Sequence, residues 1–343
     1  MILITGASGH LGANLAWALA AQGEPLRLLI QPGTHKASVD GLGAELTVGD
    51  LRDASACRNA VRDVRQVYHC AAQISTHYGV RDDIFRTNVI GTANLLHAAA
   101  EAGVERVVVS GSLSATGHRA DRPTDETEPF NPLEAHLPYA FTKAAVEHEC
   151  LRAAVNGLDV VIAVSCAILG PRDFMPSRMG RVLVRFAHRR LLAYVPGGFE
   201  FVAARDIVQG HLLAMERGRP GHKYIFSTRF VTFDELMDLF ARVTGQSKPP
   251  LRIPAAIMKT AAHLVEPMMK TLLPGTPQLL TPGAIRLLQM GRRADCTKAR
   301  EQLGYRPSDI ESAIEEAYAW FVQQGVITPA RRTYAVRLGG SRL

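Results

Sequence analysis

The sequence predicts an α/β protein with a doubly wound parallel sheet and a smaller, mixed C-terminal lobe. Apolar, strand-like runs alternate with helical patterns through the first half of the chain. A glycine-rich turn joins the first of these runs to the first helix. After about residue 170 the regular alternation weakens. Continuous apolar strands separated by helices are typical of a parallel sheet that is covered by helices on both faces.

The predicted elements follow one another in a regular order. Strands are expected at 2–6, 26–31, 44–50, 66–72, 106–112 and 159–169. Helices are expected at 11–23, about 53–63, 83–103 and 138–155. Gly103 and Pro138 support two of these boundaries, because glycine commonly ends a helix and proline is tolerated in the first turn.

Composition and charge restrict the possible functions. The chain has 343 residues, of which 47% are hydrophobic and 21% are charged, and its net charge is +7. These values fit a globular protein, and the basic residues are too dispersed to form a nucleic-acid-binding arm. No apolar run reaches the roughly 18 residues of a membrane span. We therefore expect a small-molecule partner, no nucleic acid and no membrane span.

The cysteines argue against a disulfide framework and against a metal site. The five are Cys57, Cys70, Cys150, Cys166 and Cys296, which are far apart and form no C-x-x-C pair. Free thiols suit a reducing compartment, and a strand-like run begins at residue 2 in place of a signal peptide. A cytoplasmic protein without a bound metal is expected.

The turn "TGASGHLG" at 5–12 predicts a dinucleotide-binding site of the Rossmann type. Gly6 allows the tight turn, Gly9 lets the backbone approach a pyrophosphate, and Gly12 lets helix and strand pack closely. Free N–H groups at the start of the following helix suit the phosphates. A glycine-rich turn without a ligand is disfavoured by its place between strand and helix. The expected cofactor contacts here are Gly6, Ser8, Gly9, His10, Leu11 and Gly12.

The ends of the next two strands indicate which dinucleotide is bound. The second strand ends at Gln31 without the acidic residue that selects NAD, and Lys36 follows. This favours NADP(H) over NAD(H), unless Lys36 is merely a solvated loop residue. Asp50 and Leu51 end the third strand, where the carboxylate is expected to meet the adenine. The alternative role of Asp50, a helix N-cap, suits Asp53 better.

Tyr139 and Lys143 lie four residues apart near the start of a predicted helix, and so share one face. A phenol with its ordinary pKa of about 10 is a poor proton exchanger at neutral pH. A nearby ammonium group lowers that pKa toward the range in which general acid–base catalysis is efficient. An isolated Tyr-x-x-x-Lys pair often occurs by chance. This pair follows the fifth strand and its serines, and that position favours a functional role.

Together these features resemble the extended short-chain dehydrogenase/reductase family over about residues 1–325. The resemblance rests on the motifs "TGASGHLG", "GDL", "HCAA", "NVIGTANLL", "SGS", "YAFTK", "GPRD", "ARDI" and "DCTKAREQLGYRP", which stand in family order. Within the family, the chain is most similar to the branch that contains dihydroflavonol reductases, 3β-hydroxysteroid dehydrogenases and hopanoid-associated epimerase-like proteins.

The resemblance implies three catalytic residues. Tyr139 exchanges a proton with the substrate oxygen, and Lys143 holds the nicotinamide ribose and lowers the tyrosine pKa. Ser112 hydrogen-bonds the same substrate oxygen, with Ser114 as the alternative. Gly111 departs from the family pattern, which commonly has a hydroxyl residue there.

Other family positions carry over with less defined roles. Ala71 and Ala72 let the cofactor lie close to the fourth strand. Asn88 either ties backbone segments together near the site or has a plain structural role. Cys166 and Ile168 lie where the nicotinamide packs, although the family often has a proline-containing turn there. Cys166 is expected to be a packing residue and not a nucleophile.

The chain is expected to divide into two functional regions and a tail. Residues 1–170 form the NAD(P)-binding domain, and residues 171–327 form the substrate lobe, with some segments returning to the first domain. Residues 328–343 form a basic tail. Helices 83–103 and 138–155 are the usual dimer surface of the family, so a homodimer is expected. The expected substrate contacts are His77, Tyr78, Ser114, Met175 and Met179.

Residues 255–290 have an unusual composition, rich in leucine, alanine and methionine. The methionines are candidates for an adaptable apolar site. Alternatives are a buried or dimer-facing helix pair and a membrane-surface helix with basic flanks. The residues concerned are Met258, Met268, Met269, Met290, Lys259, Lys270 and Arg286.

The functional prediction is an NADP(H)-dependent carbonyl reductase or alcohol dehydrogenase that acts on a largely apolar ketone, such as a β-keto acyl, terpenoid or sterol-like compound. The alternative is a nucleotide-sugar epimerase or dehydratase with tightly bound NAD, in which Arg181, Arg205 or Arg292 binds a diphosphate. A non-catalytic cofactor-sensing protein is disfavoured, because both Tyr139 and Lys143 are present.

Overall fold

The structure, a computed structural model, describes residues 1–34, 36–75, 81–130, 137–258, 260 and 281–329. Strands β1 to β6 are Ile2–Thr5, Leu26–Ile30, Glu45–Val48, Gln66–His69, Arg106–Ser112 and Val160–Ser165. Strands β7 to β12 are Ala167–Leu169, Ala193–Tyr194, Gly198–Ala203, Lys223–Phe226, Arg229–Thr232 and Leu251–Arg252.

The helices alternate with the strands in the first half of the chain, and further helices follow in the second half. Helices α1 to α5 are His10–Ala21, Ala54–Ala60, Asp82–Phe85, Gly91–Glu101 and Pro138–Val155, and a π-helical segment, Arg86–Ile90, joins α3 to α4. Helices α6 to α8 are Arg178–Ala187, Ala204–Arg217 and Phe233–Thr244. Helices α9 to α11 are Pro282–Gln289, Thr297–Leu303 and Ile310–Gln323.

The main sheet has the predicted doubly wound, parallel architecture. Its seven strands lie in the order β10-β6-β5-β4-β1-β2-β3, and all of its neighbouring strands are parallel. The carboxyl ends of the strands therefore share one edge. The order in which strands are added to the sheet reverses between β1 and β4, and ligands bind at this position in open sheets of this kind.

Helices cover both faces of this sheet, and each face has its own apolar core. On one face, Leu15 of α1, Ile207 of α7 and Leu303 of α10 pack together. On the other face, Leu95 of α4 and Val146 of α5 pack together. This two-sided burial explains why the strands are continuously apolar in sequence.

The prediction of a single strand at 159–169 is wrong. The run divides into β6, which stays in the main sheet, and β7, which pairs with β9 in a separate three-stranded sheet. The chain leaves the main sheet at Cys166. The run contains no glycine or proline, and its one polar residue at the break, the half-buried Ser165, does not signal a turn, because serines also occur within β5.

The second lobe has its own core, made by side chains of α6, α8, α11 and β9. Leu183, Phe240, Phe321 and Phe201 are all buried there. One later strand, β10, returns to the main sheet and pairs with β6. The described part of the chain contains no helix that is both long and apolar enough to cross a membrane.

Candidate active site

The glycine turn after β1 requires glycine at two positions for steric reasons. Gly6 has a φ of +74°, and a Cβ there would lie 2.6 Å from the backbone nitrogen of Ala71. A Cβ on Gly12 would lie 2.2 Å from the carbonyl oxygen of Gly6. Since both neighbours are backbone atoms, no side chain can move aside. The turn therefore brings β1, β4 and the start of α1 into direct backbone contact.

The start of α1 is suited to an anionic group. Its N-cap residue, Gly9, has no side chain to cap the helix, and the first turn contains no acidic residue. Unpaired N–H groups and the helix dipole both favour a phosphate at this position. The Gly6–Gly12 turn and this helix end therefore fit a dinucleotide. Of the other predicted contacts in the turn, Ser8 and Leu11 are half-buried beside it.

His10 has a structural partner that the sequence did not reveal. Its Nε2 lies 3.0 Å from the carbonyl oxygen of Pro171, and Asn14 Nδ2 donates to the same oxygen at 2.8 Å. The two side chains therefore hold the start of the second region against the first turn of α1. This contact brings the 171–175 segment next to the dinucleotide-binding turn.

At the adenosine end, the predicted residues Gln31 and Lys36 are exposed at the carboxyl end of β2. Asp50 is engaged by a neighbour that sequence reasoning missed, because Arg52 Nη2 lies 2.5 Å from Asp50 Oδ2. The hydrogen bond from Arg52 holds the pKa of Asp50 below its ordinary value. The "GDLRD" motif contains this arginine, so the pair was visible in sequence. Leu51 is buried beneath it.

The floor of the dinucleotide site is a buried chain of polar side chains. His69 Nδ1 lies 2.7 Å from Thr5 Oγ1, and His69 Nε2 lies 2.8 Å from Thr92 Oγ1. Thr5 Oγ1 also accepts a hydrogen bond from the Ala71 backbone nitrogen at 3.3 Å. Burial lowers the pKa of His69 to about 3, so this imidazole is neutral. The chain fixes the half-buried Ala71–Ala72 segment against the glycine turn.

Asn88 joins three backbone segments around the site. Its Oδ1 accepts from the Gln73 nitrogen at 2.7 Å, and its Nδ2 donates to the Gln73 carbonyl at 3.0 Å. Nδ2 also donates to Thr142 Oγ1 at 3.0 Å, and that hydroxyl donates to the Tyr139 carbonyl. Asn88 lies in the π-helical segment, a distortion that is frequent at functional sites. It therefore links the loop after β4 to α5, the helix that carries Tyr139 and Lys143.

Tyr139 and Lys143 lie one turn apart near the start of α5, which begins at Pro138 as predicted. Lys143 is buried, and its Nζ donates to the carbonyl oxygen of Ser110 at 2.8 Å. Burial lowers the pKa of Lys143 to about 8. The ammonium group therefore lies against β5, near the carboxyl end of that strand. With a pKa of about 8, it can lose its proton slightly above neutral pH.

The pKa of Tyr139 differs from the sequence expectation. Burial of the phenol raises the pKa above its ordinary value, and a hydrogen bond with Ser112 opposes that rise. The lowered pKa that was expected from Lys143 is not observed in this structure, because desolvation of the phenolate is the larger effect. At neutral pH the phenol is therefore protonated and can act as a proton donor.

Ser112 and Ser114 form a pair at the end of β5. Their Oγ atoms are 2.8 Å apart, and the Ser114 backbone nitrogen lies 3.3 Å from Ser112 Oγ. Gly111 precedes them because there is no room for a side chain: a Cβ would lie 2.8 Å from Ile162 Cγ2 on the neighbouring strand. Arg292 Nη1 donates to the Leu113 carbonyl at 2.6 Å and places a cation beside this pair.

His211 is a further neighbour of the site that sequence reasoning missed. Its Nε2 lies 2.8 Å from Ser110 Oγ, and its Nδ1 lies 2.8 Å from the Ile207 carbonyl. Because a carbonyl can only accept, Nδ1 carries the proton and Nε2 accepts from Ser110. Burial lowers the pKa of His211 to about 4. Local sequence held no signal for this contact, since the partners are 101 residues apart.

The predicted substrate contacts have different fates. Met175 is 60% exposed, whereas Met179 is buried in the core of the second lobe. Cys166 and Ile168 are half-buried, and burial raises the pKa of the Cys166 thiol well above its ordinary value, so this thiol is not a nucleophile at neutral pH. The predictions that involve His77, Tyr78, Lys259, Met268, Met269 and Lys270 lie outside the described residues.

The fold and the site define a class of protein: an enzyme with a dinucleotide-binding turn and a Ser–Tyr–Lys group at the carboxyl edge of a parallel sheet. Residues 2–226 match the model of the NAD dependent epimerase/dehydratase family. The chain belongs to this family, within the extended short-chain dehydrogenases/reductases, whose members are NAD(P)-dependent oxidoreductases, epimerases and dehydratases.

Individual relatives are similar along almost the whole chain. Sterol demethylase protein B of Methylococcus capsulatus is 40% identical over 95% of this chain and 99% of its own length. A putative dihydroflavonol 4-reductase of Synechocystis is 30% identical over 94% of this chain and 95% of its own length. The solved structure of a nucleoside-diphosphate-sugar epimerase from Pseudomonas aeruginosa is 25% identical, with a TM-score of 0.78 over 95% of this chain and 99% of its own.

Proposed function

We propose that the protein is an NADP(H)-dependent carbonyl reductase or alcohol dehydrogenase that acts on a largely apolar ketone. The observation that carries this proposal is the placement of Tyr139 and the buried Lys143 one turn apart on α5, with Lys143 bonded to β5, the strand that ends in the Ser112–Ser114 pair. This group can bind a carbonyl oxygen, and the protonated phenol can give it a proton. The kinds of ketone that fit are β-keto acyl, terpenoid and sterol-like compounds.

The roles of the three residues follow from their positions. NADPH supplies a hydride to the carbonyl carbon when it is bound. Ser112 holds the carbonyl oxygen, and Ser114 orients the Ser112 hydroxyl through the 2.8 Å contact. Tyr139 donates its proton to the same oxygen, so that no alkoxide is left in a desolvated site. Lys143 would hold the ribose hydroxyls of the bound cofactor.

An apolar substrate is supported by the surface near the site and by the relatives. Ile74 follows β4 and is 71% exposed, and Met175, in the segment held against α1, is 60% exposed. Large exposed apolar side chains in these two segments suit a substrate with an apolar body. The similarity to a sterol demethylase protein and to a dihydroflavonol reductase points in the same direction. We propose that residues 171–327 supply this substrate surface.

A nucleotide-sugar epimerase or dehydratase is the second candidate. It is favoured by the structural similarity to a nucleoside-diphosphate-sugar epimerase and by Arg292, which lies beside the Ser112–Ser114 pair. Arg205 does not support it, because its guanidinium is committed to an exposed cluster with Ser308, Ser312 and Glu316. The greater similarity to proteins named for sterols and flavonols makes the reductase the stronger proposal.

The two candidates are separated by following NADPH absorbance at 340 nm with three groups of substrates: apolar ring ketones, β-keto thioesters and sugar nucleotides. The reductase predicts net NADPH oxidation with a ring ketone or a thioester. The epimerase predicts no net oxidation with any of them, together with NAD that is released when the purified protein is denatured.

We propose NADP(H) as the preferred cofactor, because the end of β2 lacks an acidic residue and Lys36 is exposed next to it. Replacing Lys36 with alanine should weaken NADPH binding about tenfold, the loss of one charge-assisted contact, and leave NADH binding unchanged. Gln31→Asp should reverse the preference by repelling the 2′-phosphate. Quenching of tryptophan fluorescence measures both affinities, with the exposed Lys248→Ala as the control. Tighter NADH binding by the unmodified protein would contradict the proposal.

We also propose a homodimer that forms through the exposed side of α3–α5. Phe85 and Phe141 stack there with ring centroids 6.4 Å apart, and Ile90, Leu151 and Val155 are exposed nearby. Phe141→Asp should shift the sedimenting species from dimer to monomer, because it places a charge in an apolar interface. Leu192→Asp, at an exposed position of the other lobe, is the control. A monomeric unmodified protein would refute this proposal.

A further inference from the structure

Glu147 extends the catalytic face of α5 by one more turn. Tyr139, Lys143 and Glu147 are spaced by four residues each, so their side chains emerge on the same side of the helix. Glu147 is 1% exposed. A fully buried carboxyl group is costly unless it has a charged partner or a function, and its place beneath the catalytic lysine raises the question of what it does.

The carboxyl group has one strong partner, which comes from the edge of the main sheet. Lys223 Nζ lies 3.0 Å from Glu147 Oε2, and Lys223 is the first residue of β10. The other oxygen, Oε1, is buried without a hydrogen-bond partner among the described residues. Glu147 therefore retains acceptor capacity that the contact with Lys223 does not use.

This pair lies on the wall of a small cleft behind the catalytic helix. The cleft has a volume of about 230 Å³, and Glu126, Phe130, His222 and Lys298 also line it. Lys223 keeps 15% of its side chain exposed, and its Nζ lies 5.1 Å from the centre of the Phe130 ring. Lys298 Nζ donates to the Lys223 carbonyl at 2.8 Å. Lys223 is therefore held in place by its contacts with Phe130 and Lys298, and it remains partly exposed to solvent.

Few of the described groups around Lys143 can carry negative charge. Burial lowers the pKa of Lys143, while Cys150, Cys70 and Glu147 act in the opposite direction. Burial also raises the pKa of Cys150, and it raises that of Cys70 to about 11, so both thiols are uncharged at neutral pH. Glu147 is thus the group in this set that can be an anion under physiological conditions.

The remaining titratable neighbours do not balance the lysine. His69 on β4 and His211 on α7 are buried, with pKa values near 3 and 4, and are therefore neutral. Around Glu147, burial raises its own pKa, and Lys223, Lys143 and His148 act to lower it. The charged side chains thus alternate in sign from the catalytic site to the cleft: Lys143, Glu147, Lys223.

We propose that Glu147 is a positioning residue that keeps Lys143 in its ammonium form, and that Lys223 in turn keeps Glu147 ionised. A neutral Lys143 could not bind the ribose hydroxyls as a cation or stabilise developing charge on Tyr139. The inference deepens the proposed function and rests on it for the role of Lys143 in cofactor binding. The charge relation itself is a property of the protein alone.

The direct test is an NMR titration of protein labelled with ¹³C-lysine, in which the Lys143 signal is assigned by its loss in Lys143→Met. In the unmodified protein Lys143 should titrate near pH 8. Glu147→Gln, which keeps the shape of the side chain, should lower the midpoint by about one unit, because an opposite charge is lost. Lys223→Met should shift it in the same direction. Glu149→Gln, which removes a half-buried carboxylate paired with Arg152 on the same helix, should leave it unchanged.

A double variant protects the test against a folding defect. In Glu147→Gln/Lys223→Met both members of the ion pair become neutral, which is better tolerated than one unpaired charge. The Lys143 midpoint should be as low in this variant as in Glu147→Gln. A midpoint that coincides with that of the unmodified protein in both variants would overturn the proposal, as would an equal shift in Glu149→Gln.

The pH dependence of NADPH binding gives a second readout. A one-unit shift of Lys143 leaves about one eleventh of the ammonium form at pH 8 instead of about half, so the affinity of Glu147→Gln at pH 8 should be about fivefold weaker. At pH 6 the two proteins should bind equally. Equal affinities at pH 8 would argue against the role of Glu147. If the unmodified protein binds no dinucleotide, the proposed function fails, and the NMR titration still decides the charge relation.

Discussion

Replacing Tyr139 with phenylalanine is expected to lower kcat for ketone reduction by about 100- to 10,000-fold, the usual contribution of a general acid. Tyr139 is the proposed proton donor in ketone reduction, and burial keeps its phenol protonated at neutral pH by raising the pKa. Phenylalanine retains the ring but has no proton to give. Because Lys143 hydrogen-bonds the Ser110 carbonyl and not the phenol, the dinucleotide affinity should stay within about twofold. Steady-state kinetics and fluorescence titration measure the two quantities.

Tyr305→Phe is the matched control for this substitution. Tyr305 is buried, and its hydroxyl donates to the Ser227 carbonyl at 3.1 Å, away from α5. It should lose some stability and keep its turnover. A Tyr139→Phe protein with normal kcat would show that another group, or water, protonates the product oxygen, and would remove the main support for the catalytic assignment.

Replacing Lys143 with methionine is expected to abolish turnover and to stabilise the fold at the same time. A buried ammonium whose pKa falls from its ordinary 10.5 to about 8 destabilises the folded state at neutral pH. The gain in the free energy of unfolding at pH 7 should be about 1 to 3 kcal/mol, after allowing for the lost hydrogen bond to Ser110. Urea unfolding measures it.

The sign of this effect can be checked by its pH dependence. Between about pH 8 and 10.5 the unfolded chain still binds the Lys143 proton while the folded protein has released it. The lysine's contribution to stability therefore becomes more favourable as the pH rises through that window. Lys143→Met should lack this increase, and the exposed Lys248→Met should retain it. If Lys143→Met is less stable than the unmodified protein at pH 7, the ammonium is better solvated than the structure indicates.

Features set by local spacing were predictable from the sequence. The glycine turn is defined by three glycines that lie close together between β1 and α1. Tyr139 and Lys143 are four residues apart on one helix. Both features could therefore be located from the order of the residues alone. Asp53 likewise caps α2 as predicted, because the backbone N–H group that it binds lies two residues away.

Features set by distant contacts could not be predicted. The His69–Thr5 contact joins residues 64 positions apart, and the Glu147–Lys223 ion pair joins different elements of the fold. The break at Cys166 could not be predicted either, because the run contains no glycine or proline and its polar residue at the break, Ser165, is itself part of a strand. The pKa of Tyr139 was misjudged for a similar reason: spacing along a helix reveals a neighbouring lysine, but not how deeply the phenol is buried.

The most direct test of the central claim is the transfer of deuterium from NADPH labelled at the nicotinamide C4 to a polycyclic 3-ketone, followed by mass spectrometry of the product. A carbonyl reductase should give a deuterated alcohol and an equal amount of NADP⁺, and Tyr139→Phe should form both far more slowly. A different set of results would contradict this function. The ketone would be recovered without deuterium, NAD would remain bound to the protein, and sugar nucleotides would change configuration without net oxidation.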